Sequence, residues 1–108
     1  MKTTLFLLAG LFLASNAQSA DLKGNPKTGI TLAYTCTGCH GIAEYKNAYP
    51  SYRVPKIAGQ HEKYLLAALH GYKKGERNHP TMKAQASSYS DQDIADIAAY
   101  ISSLKSKK

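Results

Sequence analysis

The sequence predicts an all-α fold, and three observations carry that reading. No run alternates apolar and polar residues with the period of two that a half-buried strand requires. Two segments instead repeat their apolar residues at helical spacing: Leu65, Leu69 and Tyr72 in one, and Ile94, Ile97, Ala98, Ile101 and Leu104 in the other. Both segments, and a third near residue 26, carry the end signals of helices rather than of strands.

The elements follow in chain order. Residues 1–19 read as a secretory signal peptide: one lysine, an apolar run from Leu5 to Ala14, then a small, polar stretch with cleavage expected just before Ala20. That apolar run is too short for a membrane span, which needs about 20 residues. A single domain is expected over 20–108. Asn25-Pro26 supplies a capping residue before a proline at the first helical position, so a short helix is predicted from Pro26 into the Cys36 segment. His40 to Gln60 reads as loop, broken by Pro50, Pro55 and Gly59. "HEKYLLAALHGYKKG" reads as a helix that Gly75 stops. "ERNHPTMKAQASSY" (76–89) is expected to be loop, interrupted by Pro80. Ser90 and Asp93 form a capping-box signature for a last helix, and Lys105, Lys107 and Lys108 follow its end, where cations suit the helix dipole.

Composition leaves this domain short of core. Without its leader it has roughly 90 residues, a size at which apolar burial alone is marginal. There is no tryptophan, and both phenylalanines lie in the leader, so Tyr, Leu, Ile and Ala must do the packing. The formal charge of +7 falls by one when Lys2 leaves with the leader. A basic surface aids solubility and steers encounters with acidic partners. Nucleic acid is a poor partner, because the lysines are scattered without a motif and the chain is exported.

The two cysteines of the chain stand together in Cys36-Thr37-Gly38-Cys39-His40. A thioredoxin-like dithiol needs a βαβ setting, which the pattern lacks. A zinc site would need two donors from His40, His61, His70 and His79, whose spacing does not match the finger motifs. C-x-x-C-H is the signature of covalent haem attachment. Positions i, i+3 and i+4 share one side of a helical turn, so two thiols can bond the vinyl groups at one edge of a porphyrin while the imidazole faces the iron. A large apolar macrocycle would also supply the missing core. For the other side of the iron, Met82 is the one methionine outside the leader and lies in a polar setting unsuited to core filler. His61, His70 and His79 compete for that role, and His/His ligation would give a lower potential than His/Met.

Four stretches, "CTGCHG" (36–41), "VPKIAGQHEKYLLAAL" (54–69), "YKKGERNHPTM" (72–82) and "YSDQDIADIAAYISSL" (89–104), resemble a bacterial class I c-type cytochrome with one haem. More narrowly, the chain is similar to a single half of the tandem dihaem cytochromes of the periplasm. The resemblance implies a class I cytochrome c fold, with N- and C-terminal helices crossed and packed around one covalent haem c. It implies thioethers at Cys36 and Cys39, His40 as proximal ligand, and Met82, in G-x-R-x-x-P-x-M, as distal ligand. Pro55, opening P-x-I-x-G, matches the proline whose carbonyl accepts a hydrogen bond from that histidine. Arg77 falls where the family places an arginine near the haem propionates, and a solvated surface charge is its other reading. Tyr64 and Tyr72 are expected to line the pocket. The tyrosine-rich segment 42–53 departs from the family's shorter turn, and the single C-x-x-C-H excludes an internal two-haem relay.

The function implied is a periplasmic one-electron carrier, not an enzyme. Its partners would be membrane respiratory complexes, terminal oxidases or periplasmic reductases, with no membrane span after leader removal. Two alternatives stand beside it: a haem c subunit of a larger oxidoreductase, and an open-site haem protein binding gas or peroxide.

Overall fold

The computed structural model describes residues 22–42 and 54–105. The leader, its cleavage point, nearly all of the tyrosine-rich segment, Lys107 and Lys108 lie outside them. Five helices and no strand occur among the described residues: α1 (Pro26–Leu32), α2 (Tyr34–His40), α3 (Glu62–Lys74), α4 (Pro80–Ser87) and α5 (Asp91–Ser103). The all-α expectation holds. Two local expectations do not.

The first correction is at Ala33. A single helix was expected from Pro26 into the cysteine segment, but Ala33 has ψ 6°, and the chain restarts there as α2. The Ala33 carbonyl gathers three donors, the amides of Cys36 (3.0 Å) and Thr37 (3.1 Å) and the Thr37 hydroxyl (3.1 Å). Ala33 itself is wholly buried at this turn.

The second correction is α4, in a stretch expected to be loop. Pro80 is not a breaker here; it stands at the first turn of the helix, where its missing N–H costs nothing. His79 is the N-cap in extended conformation, and its carbonyl accepts from Lys83 N–H at 2.9 Å.

The frame is the crossing of α1 on α5, with α3 packed on both α5 and α4. Gly29 makes the crossing possible: a Cβ there would overlap the Asp96 carbonyl oxygen and stand 2.7 Å from the Tyr100 Cβ. Polar ties fix the approach. The buried Asp96 carboxylate accepts from Asn25 N–H (2.7 Å) and from the Gln92 side-chain amide (2.9 Å), which also reaches the Lys23 carbonyl at 3.0 Å. Ser90 and Asp93 complete the capping box of α5 that the sequence predicts.

The buried cluster beneath is small-chained: Ala33, Ile42, Leu65, Ile97, Ala98 and Ile101, with Leu32, Cys36, Ile57, Leu69, Tyr89 and Leu104 against its margin. Three of the five apolar positions read on the last helix, Ile97, Ala98 and Ile101, supply half of that cluster. Truncating one such isoleucine to alanine would cost about 2–5 kcal/mol, the range for buried large-to-small changes.

Candidate functional site

On one side stands α2. Its seven residues place Cys36, Cys39 and His40 on a single turn and a half, and Gly41 ends it in the left-handed region at φ 64°. Both thiols are free of each other; Cys36 leans on the core cluster while Cys39 is exposed. Burial pushes the Cys36 thiol up, against the opposing pull of its hydrogen bonds.

The His40 ring is held from outside its helix. Its Nδ1 lies 2.7 Å from the Pro55 carbonyl oxygen. A carbonyl can only accept, so Nδ1 carries the hydrogen and Nε2 keeps a free lone pair. Pro55 is placed in turn by the segment that follows it. Gly59 N–H donates to the Ile101 carbonyl on α5 (2.9 Å), and Ile57 packs on the core. The imidazole orientation is therefore referred back to the same helix that α1 crosses.

On the other side stands the α3–α4 turn. Gly75, at φ 79°, closes α3 with the paired bonds Glu76 N–H to Gly71 O (2.9 Å) and Gly75 N–H to Tyr72 O (3.2 Å), a left-handed closure that favours glycine. This folds Arg77 back over Gly71, where an added Cβ would meet its side chain at 3.0 Å. The guanidinium lies 4.6 Å from the centre of the Tyr72 ring, within cation–π range. The same ring and the His79 ring pack edge to face, centroids 6.2 Å apart at 77°. His79 Nδ1 then accepts the Met82 N–H at 3.2 Å, on the third residue of α4. Met82 is half-buried and close to His40.

The structure therefore brings His40 and Met82 together and sets Tyr72 and Arg77 beside the turn that carries Met82. Tyr64 lies on α3 with half its surface exposed (52%). Of the three competing histidines, the side chains of His70 and His79 have partners, and the His61 ring makes no cap bond. His61 precedes α3 as its N-cap residue, His70 faces Asp91 at 3.8 Å, and His79 caps α4.

One tie escaped the sequence. Tyr89 donates its hydroxyl to the Leu32 carbonyl (3.0 Å), contacts the Thr35 hydroxyl (3.2 Å), and accepts at its own carbonyl from Lys73 Nζ (2.6 Å). It ties the end of α3, through Lys73, to the α1–α2 corner. The hydroxyl's partners are 54 and 57 residues away, beyond any local spacing rule; the only signal was a large tyrosine immediately before the cap of α5.

These residues fit a covalent haem on grounds of their own chemistry. Two unpaired thiols and an imidazole nitrogen with an unused lone pair share one short helix, and a thioether stands close to that imidazole. Among the described residues, no three His, Cys, Asp or Glu side chains converge on a point where a metal ion alone would sit.

Comparison with known proteins agrees with this chemistry. Residues 26–105 match the family described as Cytochrome c. The chain is 40% identical over 104 residues to a cytochrome c4 from Pseudomonas aeruginosa, a match covering 96% of this chain and 49% of that relative, so it spans about half that protein's length. It is 31% identical over 105 residues to a cytochrome c-553 from Helicobacter pylori, covering 97% of this chain and 100% of the relative. It is also 31% identical over 106 residues to a cytochrome subunit of sulfide dehydrogenase from Chlorobaculum tepidum, covering 95% and 93%.

Proposed function

Because the chain belongs to the cytochrome c family and carries a covalent c-type haem, we propose that it is a periplasmic one-electron carrier whose iron is held between His40 and Met82. The observation that carries this reading is the bond from His40 Nδ1 to Pro55 O. It fixes the tautomer, leaves Nε2 to the iron, and raises the basicity of the ligand. When bound, the haem supplies a one-electron Fe(II)/Fe(III) couple.

Each residue then has a task. Cys36 and Cys39 hold the group by thioethers, one against the core and one at the surface. His40, oriented by Pro55, ligates on the proximal side. Met82 would hold the iron from the other side and would raise the potential relative to a second histidine. Tyr72 and Arg77 buttress the distal turn, Arg77 with its charge toward the haem propionates, and Tyr64 lines the haem edge on α3. With two protein ligands retained in both oxidation states, rearrangement on electron transfer would be small and no position would be left open for a substrate. No helix among the described residues is long and apolar enough to cross a membrane. With residues 1–19 acting as an export leader, the domain would work in the periplasm and exchange electrons with respiratory complexes, oxidases or reductases. Its basic charge would aid brief encounters with acidic faces of those partners.

The test is a redox titration of the haem-loaded protein with carbon monoxide as a probe of open coordination. A reversible one-electron couple, low-spin in both states and inert to carbon monoxide, is expected. Rapid carbon monoxide binding by the native protein would sink the carrier reading in favour of an open-site one.

A second reading rests on the sulfide dehydrogenase relative, which is named as a cytochrome subunit. Here the same domain would pass electrons from within a fixed complex. Stoichiometric co-purification with a catalytic subunit from the native host would favour it over the free carrier.

A further inference from the structure

We propose that His79 is a positioning residue for the haem iron: its Nδ1 caps α4 and thereby sets Met82 at the distal position. The inference rests on Met82 ligation and adds to it the device that holds the ligand in place.

The distal helix is poorly provided for. It has eight residues, no acidic side chain in its first turn and no basic one in its last. A helix this short is marginal by itself, so its ends decide whether it forms. Pro80 brings no N–H, and the Lys83 N–H goes to the His79 carbonyl. The Met82 N–H goes to one partner, the His79 ring nitrogen. The cap bond is therefore made to the backbone of the ligand residue itself, and losing it loosens the first turn at Met82.

Imidazole is not among the favoured N-cap groups, which are the short Asn, Asp, Ser and Thr side chains. A longer side chain reaches the same amide only if its ring is held at the correct angle. The α3–α4 turn supplies that hold. The closure at Gly75 brings Arg77 over the Tyr72 ring (4.6 Å), and the Tyr72 and His79 rings stand edge to face at 77°. Arg77, Tyr72, His79 and Met82 thus form one contiguous chain of contacts from α3 to the ligand. In this arrangement His79 neither binds iron nor acts as an acid–base group; the α3–α4 turn aims its ring so that Nδ1 reaches the Met82 amide.

The acceptor and the ring can be separated by substitution. His79→Phe keeps a flat ring against Tyr72 and removes the acceptor; His79→Asn removes the ring and keeps an acceptor of the favoured kind. His79→Ala is a second acceptor-free variant, should phenylalanine hinder accumulation. In haem-loaded protein, two quantities are read: the affinity of added imidazole, which displaces the methionine and bleaches the red methionine-to-iron band, and hydrogen exchange at the Met82 amide. Both acceptor-free variants should bind imidazole about five-fold more tightly and exchange the Met82 amide faster by a similar factor, equivalent to the ~1 kcal/mol typical of a lost cap. His79→Asn should return both values to within about two-fold of wild type. Acceptor-free variants that match wild type in both readings would overturn the proposal, as would an Asn variant as loose as Phe. A wild-type protein without the red band contradicts methionine ligation and this proposal together. A wild-type protein that shows the red band, with acceptor-free variants that match it in imidazole affinity and Met82 amide exchange, contradicts the proposal alone.

Discussion

The two sides of the candidate haem site use a histidine in opposite senses. On the proximal side His40 donates from Nδ1 to a carbonyl 15 residues along the chain, which frees Nε2. On the distal side His79 accepts at Nδ1 from an amide three residues along, which shapes a helix end. The proximal side is a short covalent motif whose ring is steadied by one bond from outside. The distal side is a weak helix whose proposed ligand, Met82, is capped by His79 beside the α3–α4 turn. The contrast shows that a ligand's position can be set either by the chemistry of its motif or by the packing of its surroundings. The two arrangements should fail differently.

The largest effect expected is on the proximal side alone. Cys36→Ser together with Cys39→Ser should reduce covalent haem, detected on denaturing gels, to background, whatever the state of α4. Next comes the frame that both sides share. Gly29→Val forces a side chain into the Asp96 carbonyl, and should cost about 3 kcal/mol, the upper part of the overpacking range, or more. Thermal unfolding should then move down by roughly 15 °C, from the usual 4–8 °C per kcal/mol in a domain of this size. Proximal and distal signals should be lost together.

Met82→Ala should separate the two sides. Covalent haem is retained, the red band disappears, and the potential falls as the methionine's contribution is lost. Retention of the wild-type potential in that variant would point to another distal ligand. Tyr89→Phe should act in the same direction but weakly. It removes the hydroxyl's bond to the Leu32 carbonyl, worth about 1 kcal/mol, and should lower the temperature at which the red band is lost more than that at which helical signal is lost. Smallest is the effect of salt: if basic steering operates, electron-transfer rates with an acidic partner should fall as ionic strength rises, because exposed charges are screened over about 10 Å at 0.1 M. Rates unchanged between low and high salt would leave the charge to solubility.

What could be read from the sequence follows the same division. C-x-x-C-H declares its chemistry within five residues, because thioether attachment constrains the spacing directly. The periodicity of Ile94, Ile97, Ala98 and Ile101, and the Ser90–Asp93 box, made α5 legible for equally local reasons. The helix α4 was not legible. Its sequence is polar, its cap is an unfavoured residue, and Pro80 signals a break as readily as a start. Only the fold of the α3–α4 turn, closed at Gly75 and stacked through Arg77 and Tyr72, decides between the two. The break at Ala33 was hidden for a similar reason: the turn depends on burying Ala33 among Leu65, Ile97 and Ile101, which no local pattern records.

The measurement that tests the central claim most directly is the visible and red absorption of the haem-loaded protein, oxidised and reduced, beside Met82→Ala. A thioether-linked, low-spin haem with a methionine-to-iron band, present in the native protein and absent from the variant, is the result predicted for iron held between His40 and Met82. A native spectrum that is high-spin, or one that Met82→Ala leaves unchanged, would contradict it.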